Sequence, residues 1–192
     1  GAPLDNPDHA YDAVMGAKAM QQRLRDLEAK LSQWGTANLH MRVGIKTGNV
    51  IVGNMGSEER FAYTALGDTT NTASRLEGVK KYYGTDIIVG STTVEKLDGR
   101  LAFRYVDLVR VKGKRQAEFI FTPCDDDLLL KLTHAAFDAY RQKNWQDARD
   151  LWLQVDERNP GDPLSQVFLK RIDDFEKNGV PDEWDGATSL EK

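Results

Sequence analysis

Apolar residues recur every three or four positions across residues 9–31, while charged residues occupy the opposite side of the same segment. This spacing is typical of an amphipathic helix that buries one face. Gly35 follows the segment and is a residue type that commonly ends a helix. We therefore predict a helix over 9–31 that packs against a sheet.

Short apolar and β-branched runs follow between residues 41 and 121. The first two, 41–45 and 50–52, predict strands on either side of a short turn, and we expect this hairpin-like pair to be central in a sheet. A later helix is expected to begin at Thr92, where Glu95 could complete a capping box. The remaining predicted elements are a helix at 70–83 and strands at 86–89, 103–111 and 118–121.

The pattern changes after Cys124, where three acidic residues precede a segment rich in helix signals. We place a domain boundary here, which divides the chain into 1–124 and 125–192. The residues after 181 are expected to lie on the surface or to be mobile. Helices in the second part are predicted at 128–142, 145–159 and 163–178.

Composition narrows the class of protein. The 192 residues are 40% hydrophobic, enough for a packed core, and a net charge of -4 gives no reason to expect nucleic acid or an anionic membrane as a partner. The single Cys124 cannot form an internal disulfide and, with three scattered histidines, matches no zinc spacing. No apolar run approaches the roughly 20 residues needed to cross a bilayer. We expect a cytoplasmic chain, which could also be the cytoplasmic part of a membrane-anchored receptor.

The most informative stretch is 63–78, YTALGDTTNTASRLEG. Asn71 and Arg75 are four residues apart and share one face of the predicted helix, while Leu76 and Val79 point toward a sheet. An amide beside a guanidinium suits a reacting phosphate ester, because arginine presents several donors to phosphoryl oxygens. Spacing alone, however, is more typical of a helix cap and a solvated arginine.

The whole stretch resembles the signature of class III adenylate and guanylate cyclases, and the resemblance continues at 41–48, 52–56 and 111–114. It covers roughly the first 124 residues. It implies an α/β fold, a ferredoxin-like sheet with helices on it, to which the rest of the chain adds a small all-α tail. It also implies head-to-tail homodimers whose interfacial sites convert a nucleoside triphosphate into the 3′,5′-cyclic monophosphate and pyrophosphate for signal transduction.

The same resemblance assigns roles to individual residues. Asn71 would orient the ribose, and Arg75 would bind the pentavalent α-phosphate of the transition state. Lys112 would hold the terminal phosphates with help from Lys114, and two solvated charges in a basic turn are the less favoured alternative. Thr64 stands at the position that reads the base, and threonine there implies ATP as substrate.

The family binds Mg²⁺ or Mn²⁺ through two aspartates, which the resemblance places upstream of this chain. The opening Gly1-Ala2-Pro3 resembles the residues that directly follow the second aspartate strand, so we expect the chain to begin in mid-domain and to be inactive alone, with no metal bound. Asp68 is interpreted as a helix cap and not as a metal ligand. Asn49 departs from relatives that carry a phosphate-binding arginine at that turn.

The second part carries a weaker resemblance. Residues 139–148, followed by Pro160, resemble one tetratricopeptide repeat, with Ala148 at the helix crossing. A helical hairpin docked on the cyclase domain is the plainer interpretation. Two alternatives to an enzyme stay open: a cyclase-homology domain that binds nucleotide or a partner without chemistry, and an adaptor whose tail binds a protein.

Overall fold

A computed structural model describes residues 1–32, 35, 39–57, 60–111, 113 and 115–190, and for Arg60, Lys80 and Lys81 it describes only the backbone. The elements in chain order are α1 (His9–Leu31), β1 (Val43–Ile45), β2 (Ile51–Ser57), β3 (Arg60–Leu66), α2 (Asp68–Tyr83), β4 (Ile87–Gly90), α3 (Ser91–Lys96), β5 (Phe103–Val111), β6 (Glu118–Pro123), α4 (Asp127–Arg141), α5 (Trp145–Arg158), α6 (Pro163–Asn178) and β7 (Thr188–Leu190).

Five strands form the main sheet in the order β1-β4-β6-β5-β7. The outer pairs β1–β4 and β5–β7 are parallel, and the inner pairs are antiparallel. A bulge interrupts the β5–β6 ladder between Tyr105 and Asp107. Strands β2 and β3 form a separate antiparallel hairpin. The mixed α/β architecture predicted from the sequence is confirmed.

The predicted pairing of 41–45 with 50–52 is wrong. β1 lies at one end of the main sheet and pairs with β4, with Val43 opposite Ile87, whereas β2 pairs with β3. All four residues of β4 are buried, so this strand needs a neighbour on each side. A hydrophobic run in the sequence identifies a strand. Which strand it pairs with depends on the burial of residues that are distant in the sequence.

The predicted capping box at Thr92 is also wrong. Helix α3 begins one residue earlier, at Ser91, and its N-cap Gly90 has no side chain to offer. Thr92 lies inside the first turn and donates its hydroxyl to the carbonyl oxygen of Thr47 at 2.7 Å. The threonine thus ties α3 to the segment after β1.

Helix α2 packs closely on β1, and this contact fixes its exposed face. Leu76 and Val79 are buried, as predicted. A Cβ atom placed on Gly44 would lie 2.2 Å from the carbonyl oxygen of Ala73 and 2.5 Å from the amide nitrogen of Glu77. Only glycine permits the helix backbone to come this near the strand.

The described residues form two hydrophobic clusters around the sheet. The smaller one contains Val14 and Ala17 of α1 together with Val89, so the predicted packing of this helix on a sheet is confirmed. The larger one joins α2 and the sheet to all three C-terminal helices, including the fully buried Phe137 and Trp152.

The C-terminal helices begin and end within one residue of their predicted bounds. They dock on the sheet, since the Phe137 ring stacks on Tyr105 of β5 with centroids 5.1 Å apart. The expectation that residues after 181 are surface or mobile is wrong for β7, which pairs with β5 and places Leu190 at 9% exposure. The tail therefore contributes one strand to the sheet, in addition to the helices that pack on the sheet.

Candidate functional site

Asn71 and Arg75 lie in the first half of α2, and both are exposed. Their neighbours Thr72 and Leu76 are buried, which orients the helix with the amide and the guanidinium outward. Thr72 also donates its hydroxyl to the carbonyl oxygen of Asp68 at 2.9 Å. One face of α2 thus presents both predicted groups, as the four-residue spacing indicates.

Arg75 lies beside the turn that joins β5 to β6. A Cβ atom placed on Gly113 would lie 3.7 Å from Nη1 of Arg75, so the guanidinium adjoins the backbone of this turn. The predicted phosphate-binding residues Lys112 and Lys114 flank Gly113, but both lie outside the described residues. The structure thereby brings Arg75 to the segment that the sequence marks as basic.

The segment after β1 wraps around the start of α2. Thr69 donates its hydroxyl to the carbonyl oxygen of Asn49 at 3.1 Å. A cavity of about 520 Å³ opens here, and its lining includes Ala65 and Thr70. Thr64 and Asn71 are the sequence neighbours of these two residues, but neither of them lines the cavity. Its volume is in the range that holds small-molecule ligands, roughly 300–1,000 Å³.

Thr64 lies on a different element from Asn71 and Arg75. It is half-buried in β3, opposite Gly53 of β2. The hairpin around it carries large apolar side chains that face solvent: Ile51, Phe61, Tyr63 and Leu66 are 72%, 67%, 55% and 52% exposed. Phe61 and Tyr63 lie on one face of the hairpin, and Ile51 and Leu66 lie on the other, because side chains alternate along a strand. Exposed apolar side chains on both faces mark the hairpin as an interaction site.

Sequence reasoning missed an ion pair between the end of β1 and the start of β6. Lys46 Nζ lies 2.6 Å from Glu118 Oε2, and both side chains are largely buried. The pair fills the space above Gly90, where an added Cβ atom would lie 2.6 Å from Glu118 Oε1. No local pattern signals it, because the two residues are 72 positions apart.

A second buried network was also missed, although a carboxylate inside the apolar strand 103–111 was a usable signal. Asp107 is fully buried and accepts hydrogen bonds from the Tyr83 hydroxyl, from Arg171 Nη1 at 2.8 Å and from Thr188 Oγ1 at 2.8 Å. Burial, reinforced by the negative charge of Asp107, raises the pKa of the Tyr83 hydroxyl. Tyr83 therefore stays protonated and keeps donating to the carboxylate.

The described part of the chain contains no group of three or more acidic, histidine or cysteine side chains that could hold a metal ion. Asp68 occupies the first turn of α2. A carboxylate at this position is stabilised by the helix dipole, which is close to the capping role predicted for Asp68.

None of the helices in the described part of the chain is both long and apolar enough to cross a membrane.

The mixed sheet with helices packed on it matches the fold of solved nucleotide cyclases. The chain matches the family model described as the adenylate and guanylate cyclase catalytic domain over residues 2–122. This match covers more than half of the chain, so the chain belongs to that family.

Two relatives extend the comparison. Adenylate cyclase 1 of Rhizobium meliloti (strain 1021) is 37% identical over 120 residues, which cover 62% of this chain and 18% of that protein. The terminal-differentiation specific adenylate cyclase of Dictyostelium discoideum is 30% identical over 183 residues, which cover 88% of this chain and 9% of that protein. The chain thus spans less than a fifth of either relative, and the second match necessarily continues past residue 124.

Solved structures of similar proteins include both kinds of cyclase. The adenylyl cyclase CyaB from P. aeruginosa has a TM-score of 0.58 at 29% identity, with 66% of this chain and 65% of that chain covered. The guanylyl cyclase Cya2 has a TM-score of 0.55 at 34% identity, with 64% and 61% covered. Overall similarity therefore does not choose between adenine and guanine.

Proposed function

We propose that this chain forms part of an adenylate cyclase, which converts ATP into 3′,5′-cyclic AMP and pyrophosphate. The observation that carries the proposal is the exposed face of α2, where Asn71 and Arg75 lie side by side and Arg75 adjoins the turn at Gly113. Family membership supplies the reaction class, and the relatives named adenylate cyclase support ATP as substrate.

The proposed chemistry is an attack of the ribose 3′ oxygen on the α-phosphorus. The 3′ hydroxyl loses its proton to solvent water, and a new bond from its oxygen to the α-phosphorus closes the ring. The bond between the α-phosphorus and the oxygen of the β-phosphate breaks, and that oxygen leaves with the pyrophosphate. Arg75 donates to the α-phosphate oxygens as charge grows there, and Asn71 holds the ribose for in-line attack. Lys112 and Lys114 bind the leaving pyrophosphate from the turn beside Arg75.

Base selection is assigned to Thr64. Its hydroxyl can donate to or accept from the adenine edge. The exposed apolar side chains around it, such as Phe61 and Tyr63, indicate that this hairpin is covered in the working protein. We propose a second copy of the chain as the cover, in a head-to-tail dimer whose active sites lie at the interface, with Thr64, Asn71 and Arg75 on the same side of each site.

The family's metal ions, Mg²⁺ or Mn²⁺, neutralise the triphosphate when bound. The described residues offer no ligand cluster for them, so none of the steps above is assigned to a metal. We propose that two aspartates from elsewhere in the protein hold these ions, and that residues 1–192 are inactive without them. Because ATP is an intracellular substrate, we assign the site to the cytoplasm.

The proposed division of labour follows the boundary at residue 124. Residues 1–124 carry the cyclase groups, and residues 125–192 support them. An adaptor role for the tail, by way of its likeness to one tetratricopeptide repeat, has less support, because Trp152 and Ala148 are fully buried in the core shared with the sheet. Those side chains cannot also contact a peptide.

The experiment joins the chain to its native upstream sequence and measures turnover of ATP and of GTP with Mn²⁺. We expect cyclic AMP to form, with a kcat/KM for ATP at least about tenfold above that for GTP. Thr64→Val should erase most of this preference, and Tyr63→Phe, which removes a hydroxyl from the neighbouring side chain, should keep it. Preferred GTP turnover would overturn the base assignment, and nucleotide binding without turnover would favour the non-catalytic alternative.

A further inference from the structure

The C-terminal helix α6 contacts the end of α2, the helix that carries Asn71 and Arg75. Arg171 of α6 donates from Nη2 to the Tyr83 hydroxyl at 3.1 Å and from Nη1 to Asp107 at 2.8 Å. Its guanidinium carbon also lies 5.5 Å from the centre of the Tyr83 ring. Tyr83, the last residue of α2, is fully buried in this contact.

A second contact joins the same two helices one residue further on. Gly84 directly follows α2 with a φ of +66°, and a Cβ atom there would lie 2.6 Å from Cβ of Pro163. Pro163 is the first residue of α6. Because this proline occupies the space where a side chain would stand, the end of α2 and the start of α6 have one close-packed arrangement.

Helix α6 is itself held on β5 by two ion pairs, one buried and one partly buried. The strand supplies the arginine of the first pair and the aspartate of the second. Arg104 donates to both carboxylate oxygens of Asp162, at 2.7 and 3.1 Å, and these side chains are 8% and 1% exposed. Three residues along the same strand, Asp107 accepts from Arg171. Two such pairs fix both the position and the rotation of α6 against the sheet.

From this arrangement we infer that Arg171 is a positioning residue for the cyclase reaction: through Tyr83 and Asp107 it sets the orientation of α2, and hence of Asn71 and Arg75. Eight residues, or about 12 Å of helix, separate Tyr83 from Arg75. A single continuous helix passes a rotation at one end to side chains at the other. The inference rests on the proposed function for its effect on catalysis.

Energetic considerations favour positioning over simple stabilisation. A buried ion pair offers little net stability compared with apolar packing, because desolvation of both charges offsets their attraction. Hydrogen bonds with fixed directions, by contrast, select one geometry. The Dictyostelium discoideum relative matches 88% of the chain, beyond the family model's limit at residue 122, as expected if this tail accompanies the cyclase fold.

The test uses Tyr83→Phe and Arg171→Met in the protein joined to its native upstream sequence. Tyr83→Phe removes only the hydroxyl and leaves the Asp107–Arg171 pair in place. We expect amide hydrogen exchange across residues 71–76 to quicken about fivefold or more in both variants. The kcat for ATP should fall about tenfold while KM stays within about twofold. The reason is that a displaced Asn71 and Arg75 would lose contacts that they make in the transition state.

Arg149→Met is the matched control. Arg149 contacts α6 from the opposite side, through Asp173 at 2.7 Å and Glu176 at 2.5 Å, and has no contact with α2 among the described bonds. It should change neither the exchange at 71–76 nor kcat. Arg171→Lys, which keeps one charged donor for Asp107, should restore part of the protection lost in Arg171→Met.

Exchange at 71–76 that is as slow in Tyr83→Phe as in Arg149→Met would overturn the inference. With an active wild type, a kcat that is the same in Tyr83→Phe would also overturn it. If Arg171→Met does not fold, the Tyr83→Phe result decides. Hydrogen exchange can be measured without turnover. The failure of the positioning inference can therefore be distinguished from the failure of the proposed cyclase function. An inactive wild type whose α2 still loosens in Tyr83→Phe would contradict the proposed function and retain the link between α6 and α2.

Discussion

The carboxylate of Asp162 makes two stabilising interactions, and both depend on its being charged. It caps α6 by accepting from the backbone N–H groups of Leu164 and Ser165, and it pairs with the guanidinium of Arg104. Burial alone would raise the pKa of this carboxyl, but the Arg104 and Ser165 donors outweigh it and lower the pKa below its ordinary value. Folding thus favours the charged form.

The lowered pKa of Asp162 determines how the free energy of unfolding changes with pH. A carboxylate whose pKa is lowered by folding stabilises the protein above its unfolded pKa, about 3.9, and this contribution is lost as the pH falls through the folded pKa. We predict that Asp162→Asn, which strands the buried charge of Arg104, lowers the free energy of unfolding by about 3 kcal/mol at pH 7. The difference from wild type should narrow below about pH 4.

Urea unfolding at pH 7 and at pH 3.5 measures both effects. Asp185→Asn is the control, because Asp185 pairs with Arg110 at the surface and is 53% exposed. That variant should be close to wild type at both pH values. A stability gap for Asp162→Asn that is the same at pH 7 and pH 3.5 would contradict the assignment of the lowered pKa to this buried pair.

At the scale of single residues, the sequence was most informative where chemistry is local. The four-residue spacing of Asn71 and Arg75 predicted their shared exposed face, because helical geometry alone decides it. The partners of Asp107 and Lys46 were not predictable in this way. Each depends on residues dozens of positions away, and their meeting is decided by how the sheet is assembled.

Among the elements, the β2–β3 hairpin differs most from the rest of the fold. It pairs only within itself in the described part of the chain, and its large apolar side chains are mostly exposed. A two-stranded hairpin is marginally stable by itself, so such a surface needs a cover. The proposed head-to-tail dimer supplies one.

We predict that Phe61→Asp weakens self-association at least about tenfold, because it replaces an exposed apolar side chain of the hairpin with a charge. Sedimentation velocity over a range of concentrations measures the effect. Leu153→Asp is the matched control, since Leu153 is 47% exposed on α5, away from the hairpin. Equal dissociation of both variants, or of neither, would show that the hairpin is not the dimer contact.

Helices were predicted more accurately than strand partners for a physical reason. Each long helix carries its own periodicity, and α1, α5 and α6 end within a residue of the predicted bounds. A few residues are enough to indicate a strand, but they do not indicate which strand it pairs with. For that reason the sequence identified β1 and β2 as strands and placed them wrongly as a pair.

For the whole molecule, the tail and the sheet form one hydrophobic core. Phe137, Trp152 and Phe168 lie in the same cluster as Val106 of β5. Composition alone suggested a boundary at residue 124, because acidic residues and then helices follow it. The burial of these aromatic rings could not be foreseen, since an amphipathic helix does not reveal which surface it will cover. A division of function at this boundary stays compatible with a shared core.

The central claim is that the exposed face of α2 performs the chemistry of a nucleotide cyclase. The most direct measurement is kcat for cyclic AMP formation from Mn-ATP in Arg75→Ala and Asn71→Ala, with the chain joined to its native upstream sequence. Removing one preorganised donor to a developing charge typically lowers kcat about 10²–10³-fold, and we expect a loss of this size in each variant. Both side chains are exposed, so folding should be unaffected. Full activity in both variants would contradict the account.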